Sequence, residues 1–426
     1  METIFAVSSG APPAAIAVLR ISGPDAFSAT QALAGTLPPA RVATLRKLRA
    51  ADGGILDHAL LLVFPGPASA TGEDVTEIHL HGGRAVVAAV EHALDGMEGL
   101  RRAEPGEFTR RALMAGRIDL TEAEGLGDLL TAETETQRRA AMTAAEGGVR
   151  RRVATWSARL LGLAARAEAQ LDFSDEDDVA PEEATDITAA ARALADDIAV
   201  VVAAPPIERL RDGIRVVLAG PPNSGKSTLI NALADRDVAI VSPIAGTTRD
   251  RIEVPVSHGG IAYVLTDTAG LAGQTSDPIE AIGIERAEAA IAMADIILWL
   301  GDEAPAVVNS LWIHARADRL GRESLPEGRA LAVSAATGTG IVELWQQIEA
   351  RTTSLLPRLD DVVLNRRQRS LAAECGALLT EASRASDMLI VAEHFRLALA
   401  SLDRITGHSD TEAMLDTLFG QFCIGK

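Results

Sequence analysis

The sequence is poor in the features that mark secreted and membrane proteins. Its 426 residues contain only two cysteines, Cys375 and Cys423, which are too few for a disulfide framework. The apolar runs, such as Ile296–Leu300, fall well short of the roughly 20 residues that a membrane helix requires. The segment 1–10 lacks a basic stretch followed by an apolar one, so we expect no secretory signal, no membrane association and a cytoplasmic location.

Aromatic residues and net positive charge are also scarce. A formal net charge of −19 argues against a surface built broadly for nucleic-acid phosphates, because such contacts come from clustered lysine and arginine. Hydrophobic residues nevertheless make up 47% of the chain, which indicates a folded globular protein rather than a disordered one. The length is sufficient for several domains that each bury a core of their own.

Changes in hydrophobic pattern divide the chain into four segments. Short apolar strands alternate with helical stretches and Gly/Pro turns over 1–118, which predicts an N-terminal α+β domain. Apolar residues three and four positions apart from Val149 to Leu171 predict a long amphipathic helix within a helical segment, 119–213. Buried-strand patterns alternate with helices over 214–356, as in a parallel α/β sheet, and 357–426 is helical again. We therefore expect an α/β domain inserted into a helical domain that follows the N-terminal domain.

A glycine-rich loop predicts a nucleotide site in the α/β segment. Gly220–Thr228 fits the GxxxxGK[S/T] pattern, follows the apolar strand Val216–Ala219 directly and runs into a helix. Backbone N–H groups of such a loop surround the β-phosphate, Lys226 reaches the β- and γ-phosphates, and the Ser227 hydroxyl ligates Mg²⁺. We expect nucleotide contacts from Asn223, Ser224, Gly225, Lys226, Ser227 and Thr228.

Two further motifs have the order expected of GTPase switches. The run Gly246–Asp250 supplies hydroxyls for a loop that senses Mg²⁺ and the γ-phosphate, and Thr248 is the predicted Mg²⁺ contact. The run Asp267-Thr268-Ala269-Gly270 ends an apolar strand, which places Asp267 near the Mg²⁺ and the Gly270 N–H near the γ-phosphate. The next residue is Leu271, which cannot orient water as the glutamine of Ras does. Hydrolysis therefore needs another group, and Glu280 is the best nearby carboxylate, although the residues alone favour a solvated glutamate at the start of a helix.

Guanine recognition is predicted at two loops. Most GTPases carry Asn-Lys-x-Asp after a later strand, whereas this chain has Ala315-Arg316-Ala317-Asp318. Asp318 retains the carboxylate that accepts hydrogen bonds from guanine, and the Arg316 stem can cover the base as lysine does. Because Ala315 lacks the amide, we expect weaker or less strict guanine binding. Ser334, Ala335 and Ala336 match the loop whose backbone supports the guanine carbonyl.

The switch motifs resemble the TrmE–Era–EngA group of GTPases, and the rest of the chain resembles the MnmE (TrmE) family of tRNA modification GTPases. The C-terminal Phe-Cys-Ile-Gly-Lys is similar to the Cys-x-Gly-Lys of that family. Five short N-terminal motifs are also similar to that family, so the resemblance extends over essentially the whole chain. These motifs are Leu19–Gly23, Thr71–Val75, His81–Gly83, Pro105–Phe108 and Arg117–Leu120.

The resemblance implies a function and partners. Members are homodimers that join a flavoprotein, MnmG (GidA), to form the 5-carboxymethylaminomethyl or aminomethyl group of the tRNA wobble uridine. A formyl-tetrahydrofolate supplies the one-carbon unit, and FAD is expected only on the partner. The N-terminal domain is expected to serve folate binding and dimerisation, and the residues that match the folate site are Arg20, Glu77, Arg117 and Lys426.

The resemblance also implies K⁺-dependent hydrolysis, with the cation placed where an arginine finger would otherwise neutralise charge. By position, the K⁺ ligands are Asn223, Ser242, Ile244 and Thr247, while Ser227 and Thr248 hold Mg²⁺. Thr247 and Ser242 also join the predicted nucleotide contacts. In this family a switch glutamate followed by Ile-Gly helps to position water, and Glu280 precedes Ile282 and Gly283 here, in a slightly longer loop.

The two cysteines are predicted to have different roles. A near-terminal cysteine in a helix is usually a buried small hydrophobe, but within Cys-x-Gly-Lys we favour a functional thiol whose chemical role stays open. Cys375 is predicted to be structural.

Two alternative functions stay open. One is a ribosome-assembly GTPase of the Era/EngA type, which would carry an RNA-binding appendage or tandem GTPase domains. Another is a dynamin-like GTPase that assembles on membranes, which the acidic charge disfavours.

Overall fold

The computed structural model describes residues 2–172, 181–234, 238–239, 253–268, 288–305, 307, 310–358, 362–407, 412–420 and 422–425. The chain forms two compact units, one of Met1–Gly127 with Asp403–Lys426 and the other of Asp128–Leu402. Among the described residues, no helix combines the length and the apolar character needed to cross a membrane.

A six-stranded mixed sheet forms the centre of the first unit. In chain order its strands are β1 Thr3–Val7, β2 Ile16–Ser22, β3 Thr44–Arg49, β4 Ile55–Phe64, β5 Val75–His81 and β6 Leu100–Arg102. They lie side by side in the order β3-β4-β5-β2-β1-β6. One face packs against α1 (Ala26–Ala34) and α2 (Arg84–Asp95) and contains the core residues Phe5, Leu19 and Ile78. The opposite face of β5 presents polar side chains, as its alternating burial shows.

Helices follow this sheet along much of the chain. They are α3 Glu107–Met114, α4 Leu120–Thr131, α5 Glu135–Ala145, α6 Gly148–Asp172, α7 Pro181–Ala203, α8 Glu208–Arg211, α9 Lys226–Ala234, α10 Ile341–Thr352, α11 Arg366–Ala382 and α12 Met388–Thr406. The predicted amphipathic helix is confirmed as α6, whose apolar stripe is buried from Val149 to Ala167 around a fully buried Trp156.

Helices from both sides of the α/β segment pack together in the second unit. Ile198 of α7 lies against Gly376 of α11, where a Cβ would stand 3.6 Å from the isoleucine Cγ2. Cys375, beside that glycine, is fully buried, as predicted for a structural residue. The α/β segment is thus inserted between helices that contact each other, which agrees with the expected architecture.

The second sheet supports the nucleotide motifs. Its strands are β7 Ile214–Ala219, β8 Val238–Ala239, β9 Glu253–His258, β10 Ile261–Asp267, β11 Ile296–Trp299, β12 Leu311–Ala315 and β13 Leu331–Val333. They are arranged as β13-β12-β11-β7-β10-β9-β8, with β7 at the centre and parallel to both neighbours, as in a Ras-like domain. The loops after β10 and β11 therefore lie on opposite sides of β7, which is the position where open α/β sheets bind ligands.

The sheet is not entirely parallel, which differs from the parallel sheet that the strand pattern predicted. β9 runs antiparallel to β10, and β8 runs antiparallel to β9. Gly259 and Gly260 both have positive φ angles, of 57° and 77°, and form the tight connection between β9 and β10. A two-residue connection of this kind leaves no room for a crossover helix, so the strands pair as a hairpin.

The C-terminal residues belong to the first unit. Helix α13 (Glu412–Phe419) packs on α3, where Arg110 Nη1 lies 2.7 Å from Asp416 Oδ1. The rings of Phe419 and Phe422 lie 5.7 Å apart in a small core with Ala123. Beyond the helix, Ile424 forms an isolated bridge with Pro105.

Candidate nucleotide site

The glycine-rich loop lies between the end of β7 and the start of α9, as predicted. Gly220 has a φ of 146°, and a Cβ there would stand 3.2 Å from Gly301 N and 3.3 Å from Ser224 Oγ. A side chain would therefore be strained and crowded at this turn. Ser224 is buried, whereas Asn223 and Thr228 are exposed. The loop thus has the strand–loop–helix context that its pattern requires.

Lys226 is held inside the loop by backbone acceptors. Its Nζ donates to Gly220 O at 2.9 Å and to Pro221 O at 3.0 Å, and only 4% of the residue is exposed. Burial lowers the pKa of the Lys226 ammonium below its ordinary value, while the charge of Asp267 opposes that shift. The loop therefore carries a partly desolvated cation, which gains strongly from a bound phosphate.

Ser227 and Asp267 meet where the loop faces the next strand. Asp267 is the last residue of β10 and pairs in register with Leu218 of β7. Its Oδ2 accepts a hydrogen bond of 2.5 Å from the Ser227 hydroxyl, and only 8% of Asp267 is exposed. Thr268 Oγ1, also buried, donates to Leu218 O at 2.9 Å and fixes the end of β10. A hydroxyl and a carboxylate side by side are the oxygen donors that Mg²⁺ prefers.

Asp318 and Ser334 meet at the same end of the sheet, after β12 and β13. The buried Ser334 hydroxyl donates to Asp318 Oδ1 at 2.5 Å. This hydrogen bond lowers the pKa of the exposed Asp318 carboxyl. The Ala317 N–H donates to Val333 O at 3.1 Å, so the two loops are tied together. Ala335 is half-buried and Ala336 is exposed beside them.

Arg316 makes a contact that its sequence position does not predict. Its φ is 57°, and its Nη1 donates to Asn223 O of the glycine-rich loop at 2.8 Å. Its Cγ would lie 3.4 Å from a Cβ placed on Gly225. The Arg316 stem thus lies beside the glycine-rich loop, and its role in covering the base stays a prediction.

An ion-pair cluster supports this loop, and sequence analysis missed it. Asp302, after β11, binds both Arg322 and Arg329 at 2.9 and 3.1 Å, and these bonds lower the pKa of Asp302 to about 2. Arg322 Nε in turn donates to Ala315 O at 3.0 Å. The partners are distant in sequence and follow no motif, so no local pattern could have identified them.

Eight of the predicted site residues lie outside the described residues. They are Ser242, Ile244, Thr247, Thr248, Ala269, Gly270, Glu280 and Lys426. Their roles as switch, cation, catalytic and folate residues stay predictions.

Two of the predicted folate residues meet on the polar face of the first unit. Arg20 and Glu77 are register partners on β2 and β5, and Arg20 Nη2 lies 2.7 Å from Glu77 Oε1. The Arg20 guanidinium also stands 5.6 Å from the centre of the Phe108 ring. Arg117 is exposed, and its stem lies beside Gly72. A charged pair beside an aromatic ring suits a flat, polar heterocycle.

Cys423 does not lie in a helix, contrary to the environment assumed from the sequence. α13 ends at Phe419, and Cys423 lies in the segment beyond it, exposed to solvent. The backbone of this segment packs tightly, since a Cβ on Gly425 would stand 2.1 Å from Val7 O. An exposed thiol on an anchored backbone remains available for chemistry.

The central strand, the glycine-rich loop with Lys226 and Ser227, and Asp318 at the same end of the sheet define a P-loop GTPase. Family models match nearly the whole chain: "GTP-binding protein TrmE N-terminus" matches residues 3–117 and "MnmE helical domain" matches residues 120–423. The chain therefore belongs to the MnmE (TrmE) family and is a GTP-hydrolysing enzyme.

Individual relatives agree with this assignment. A protein of Erythrobacter litoralis named tRNA modification GTPase MnmE is 54% identical over all of both chains. Proteins of the same name from Sphingopyxis alaskensis and Rhizorhabdus wittichii are 56% and 57% identical, covering 96% and 100% of this chain and 100% and 97% of their own. These full-length similarities favour the tRNA modification family over the Era/EngA alternative.

The two cysteines should differ sharply in reactivity. Burial raises the pKa of the Cys375 thiol to about 12, whereas Cys423 is exposed. We expect a thiol reagent at pH 8 to modify Cys423 rapidly and Cys375 only after unfolding, because the thiolate is the reactive species. Mass spectrometry of the labelled peptides measures both rates, and a Cys423→Ser variant is the control. Rapid labelling of Cys375 in the native protein would contradict this description.

Proposed function

We propose that this protein is a GTPase of tRNA modification that acts with a flavoprotein partner of the MnmG (GidA) type. Together they would form the 5-carboxymethylaminomethyl or aminomethyl group of the wobble uridine. The observation that carries the GTPase part is the convergence of Lys226, Ser227, Asp267 and Asp318 at one end of the second sheet. The names of the full-length relatives support the tRNA part.

The described residues suit GTP with Mg²⁺. Lys226 would exchange its two carbonyl acceptors for phosphate oxygens, which carry full negative charge and hold the ammonium more strongly. Ser227 would turn its hydroxyl to Mg²⁺, Asp267 would support the ion, and Thr248 would complete the site. The Asp318 carboxylate, whose pKa is lowered by the hydrogen bond from Ser334, can accept the N–H donors of guanine.

We extend the proposal to K⁺. Asn223 is exposed in the glycine-rich loop and has a positive φ of 58°. Its amide oxygen, with oxygens of Ser242, Ile244 and Thr247, is a donor set that suits a hard monovalent cation. The cation would supply positive charge toward the phosphates, and Glu280 would position water because Leu271 cannot.

The first unit would bind a formyl-tetrahydrofolate. Glu77 offers a carboxylate to the N–H donors of a pterin, and its bond to Arg20 keeps that carboxylate fixed. Arg117 and Lys426 would meet the acidic tail of the folate. The exposed Cys423 thiol would take part in the modification itself, in a chemical role that we leave open.

The remaining parts of the proposal concern assembly. We propose a homodimer in the cytoplasm that binds tRNA and the flavoprotein, with FAD carried by that partner. The domain limits proposed are 1–118 for the folate-binding and dimerisation domain, 214–356 for the GTPase domain, and 119–213 with 357–426 for the helical domain.

Potassium should stimulate GTP hydrolysis and sodium should not. At equal ionic strength, we expect replacement of K⁺ by Na⁺ to lower the rate of GTP hydrolysis by roughly a hundredfold. Loss of one preorganised group that stabilises transition-state charge has an effect of this size. The Asn223→Ala variant should lose most of the K⁺ stimulation and retain GDP binding. Phosphate release measured in each salt checks both expectations. Equal rates in the two salts would refute the K⁺ site while leaving the GTPase assignment intact.

The Glu77→Gln variant should lose folate affinity. The glutamine side chain has nearly the shape of glutamate without its charge, so we expect the dissociation constant of 5-formyltetrahydrofolate to rise roughly tenfold or more. Asp95→Asn is a matched control, because Asp95 pairs with Arg102 in the same unit. Calorimetric titration measures both variants. A Glu77→Gln protein that binds as tightly as the wild type would remove Glu77 from the folate site.

Wobble modification should depend on this protein and on Cys423. In a deletion strain, we expect nucleoside mass spectrometry of tRNA to show loss of the aminomethyl-type uridines and their return with the wild-type gene. The Cys423→Ser variant should keep full GTPase activity and fail to restore the nucleoside. Unchanged wobble uridines in the deletion strain would refute the tRNA function. Equal loss of both activities in the variant would make Cys423 structural.

A further inference from the structure

The edge strand β3 of the first unit is strongly basic in a chain that is acidic as a whole. Arg41 precedes this strand, and Arg46, Lys47 and Arg49 belong to it. The stretch 26–51 contains no aspartate or glutamate, although the chain has 59 of them. Arg41, Lys47 and Arg49 are exposed, and Arg46 is half-buried. We call these four residues the basic edge.

The charge of the basic edge is not neutralised by the rest of the unit. None of its four cations forms an ion pair with a carboxylate of the described residues. Arg41 Nη2 donates to Ala68 O, and Arg49 Nη1 donates to Gly53 O at 2.9 Å. Backbone carbonyls carry no net charge, so these bonds hold the guanidinium groups in place without cancelling their positive charge.

Another basic pair of the first unit, Arg110 and Arg111, is neutralised by carboxylates. Arg110 Nη1 lies 2.7 Å from Asp416 Oδ1. The buried Arg111 lies 2.9 Å from Glu73 Oε2 and 3.0 Å from Glu107 Oε1. A guanidinium that already has an anionic partner gains little from an external phosphate. The basic edge differs from this pair because its cations have no such partner among the described residues.

We propose that the basic edge contacts the phosphate backbone of tRNA. This inference rests on the proposed function, which makes tRNA the anionic macromolecule that the protein meets. With a formal net charge of −19, the surface as a whole repels RNA, so a phosphate contact needs a local concentration of cations. A short segment rich in lysine and arginine is the usual electrostatic footprint of nucleic-acid binding.

The strand geometry allows one nucleic-acid backbone to reach several of these cations. Alternate residues of a strand share a face, so Lys47 and Arg49 lie on one face, about 7 Å apart along the strand. His58 of β4 is the register partner of Lys47 and is also exposed, so it can donate a further hydrogen bond to a phosphate. Within its sheet, β3 has a neighbouring strand on one side only. Contacts of this kind hold the RNA without reading its sequence.

Removal of two charges should weaken tRNA binding and reduce its dependence on salt. We expect the Lys47→Gln/Arg49→Gln double variant to bind an unmodified tRNA transcript roughly tenfold or more weakly at about 0.1 M salt, because each phosphate contact releases about one counterion. The slope of log affinity against log salt concentration should fall by roughly two. Fluorescence anisotropy of the full chain with labelled tRNA measures both quantities, and GTP hydrolysis should stay unchanged.

Two control variants separate the position of the charge from its amount. Arg84→Gln/Arg102→Gln removes the same charge from exposed arginines of the same unit outside the basic edge, and it should bind tRNA as the wild type does. Lys47→Arg/Arg49→Lys keeps both charges and should also bind normally. Wild-type affinity and salt slope in the double glutamine variant, or an equal loss in the Arg84 and Arg102 control, would overturn the inference.

Charges on an edge strand can also protect it from pairing with another chain. If that is their only role, the double glutamine variant should aggregate, as light scattering would detect, while its soluble fraction binds tRNA normally. That result would overturn the inference. An anionic membrane is another surface that cations attract, so vesicles containing phosphatidylglycerol are titrated in parallel. Vesicle binding that the double variant loses, with tRNA binding unchanged, would also overturn it.

The wild-type protein distinguishes this inference from the proposed function. If it binds no tRNA, the basic edge is not a tRNA contact. If the deletion strain nevertheless loses its wobble modification, the proposed function stands and the flavoprotein alone holds the tRNA. If the wild type binds tRNA and the deletion strain keeps its modification, the contact stands and the proposed function is wrong.

Discussion

The hydrogen bond between the Ser227 hydroxyl and Asp267 joins the start of α9 to the end of β10, and the nucleotide site depends on the two elements it connects. β7 and β10 are register partners, so their carboxyl ends lie side by side and bring the glycine-rich loop and the carboxylate together. Lys226 is then buried between its own loop and that carboxylate, with a lowered pKa. A buried cation beside an oxygen pair is a receptor for a phosphate with its metal ion.

Much of this site could be predicted because its elements are local in sequence. The loop pattern, the strand before it and the helix after it lie within Val216–Ala234, and the apolar stripe of α6 repeats at helical spacing. The antiparallel β9 was not predicted, since Gly259 and Gly260 indicate a turn but not which strands it connects. The ion pairs of Asp302 with Arg322 and Arg329 were not predicted either, because the folded sheet brings together residues that are distant in sequence.

Arg316 shows that a short motif does not reveal every contact of its loop. The weaker guanine binding expected from Ala315 stays a prediction. Arg316, one residue later, donates to the glycine-rich loop from a left-handed backbone conformation that sequence patterns do not reveal. Cys423 is a similar case, because the apolar residues before it predict a continued helix that in fact ends at Phe419.

If Asp318 accepts the N–H donors of guanine at the end of this GTPase sheet, exchange of its acceptor group should change which base the protein prefers. Asp318→Asn replaces an acceptor-only carboxylate with an amide that can donate to the 2-carbonyl of xanthine. Steady-state hydrolysis of GTP and XTP by the wild type and this variant is the measurement. We predict that the variant loses GTP turnover and gains XTP turnover. A variant that still prefers GTP would contradict the account.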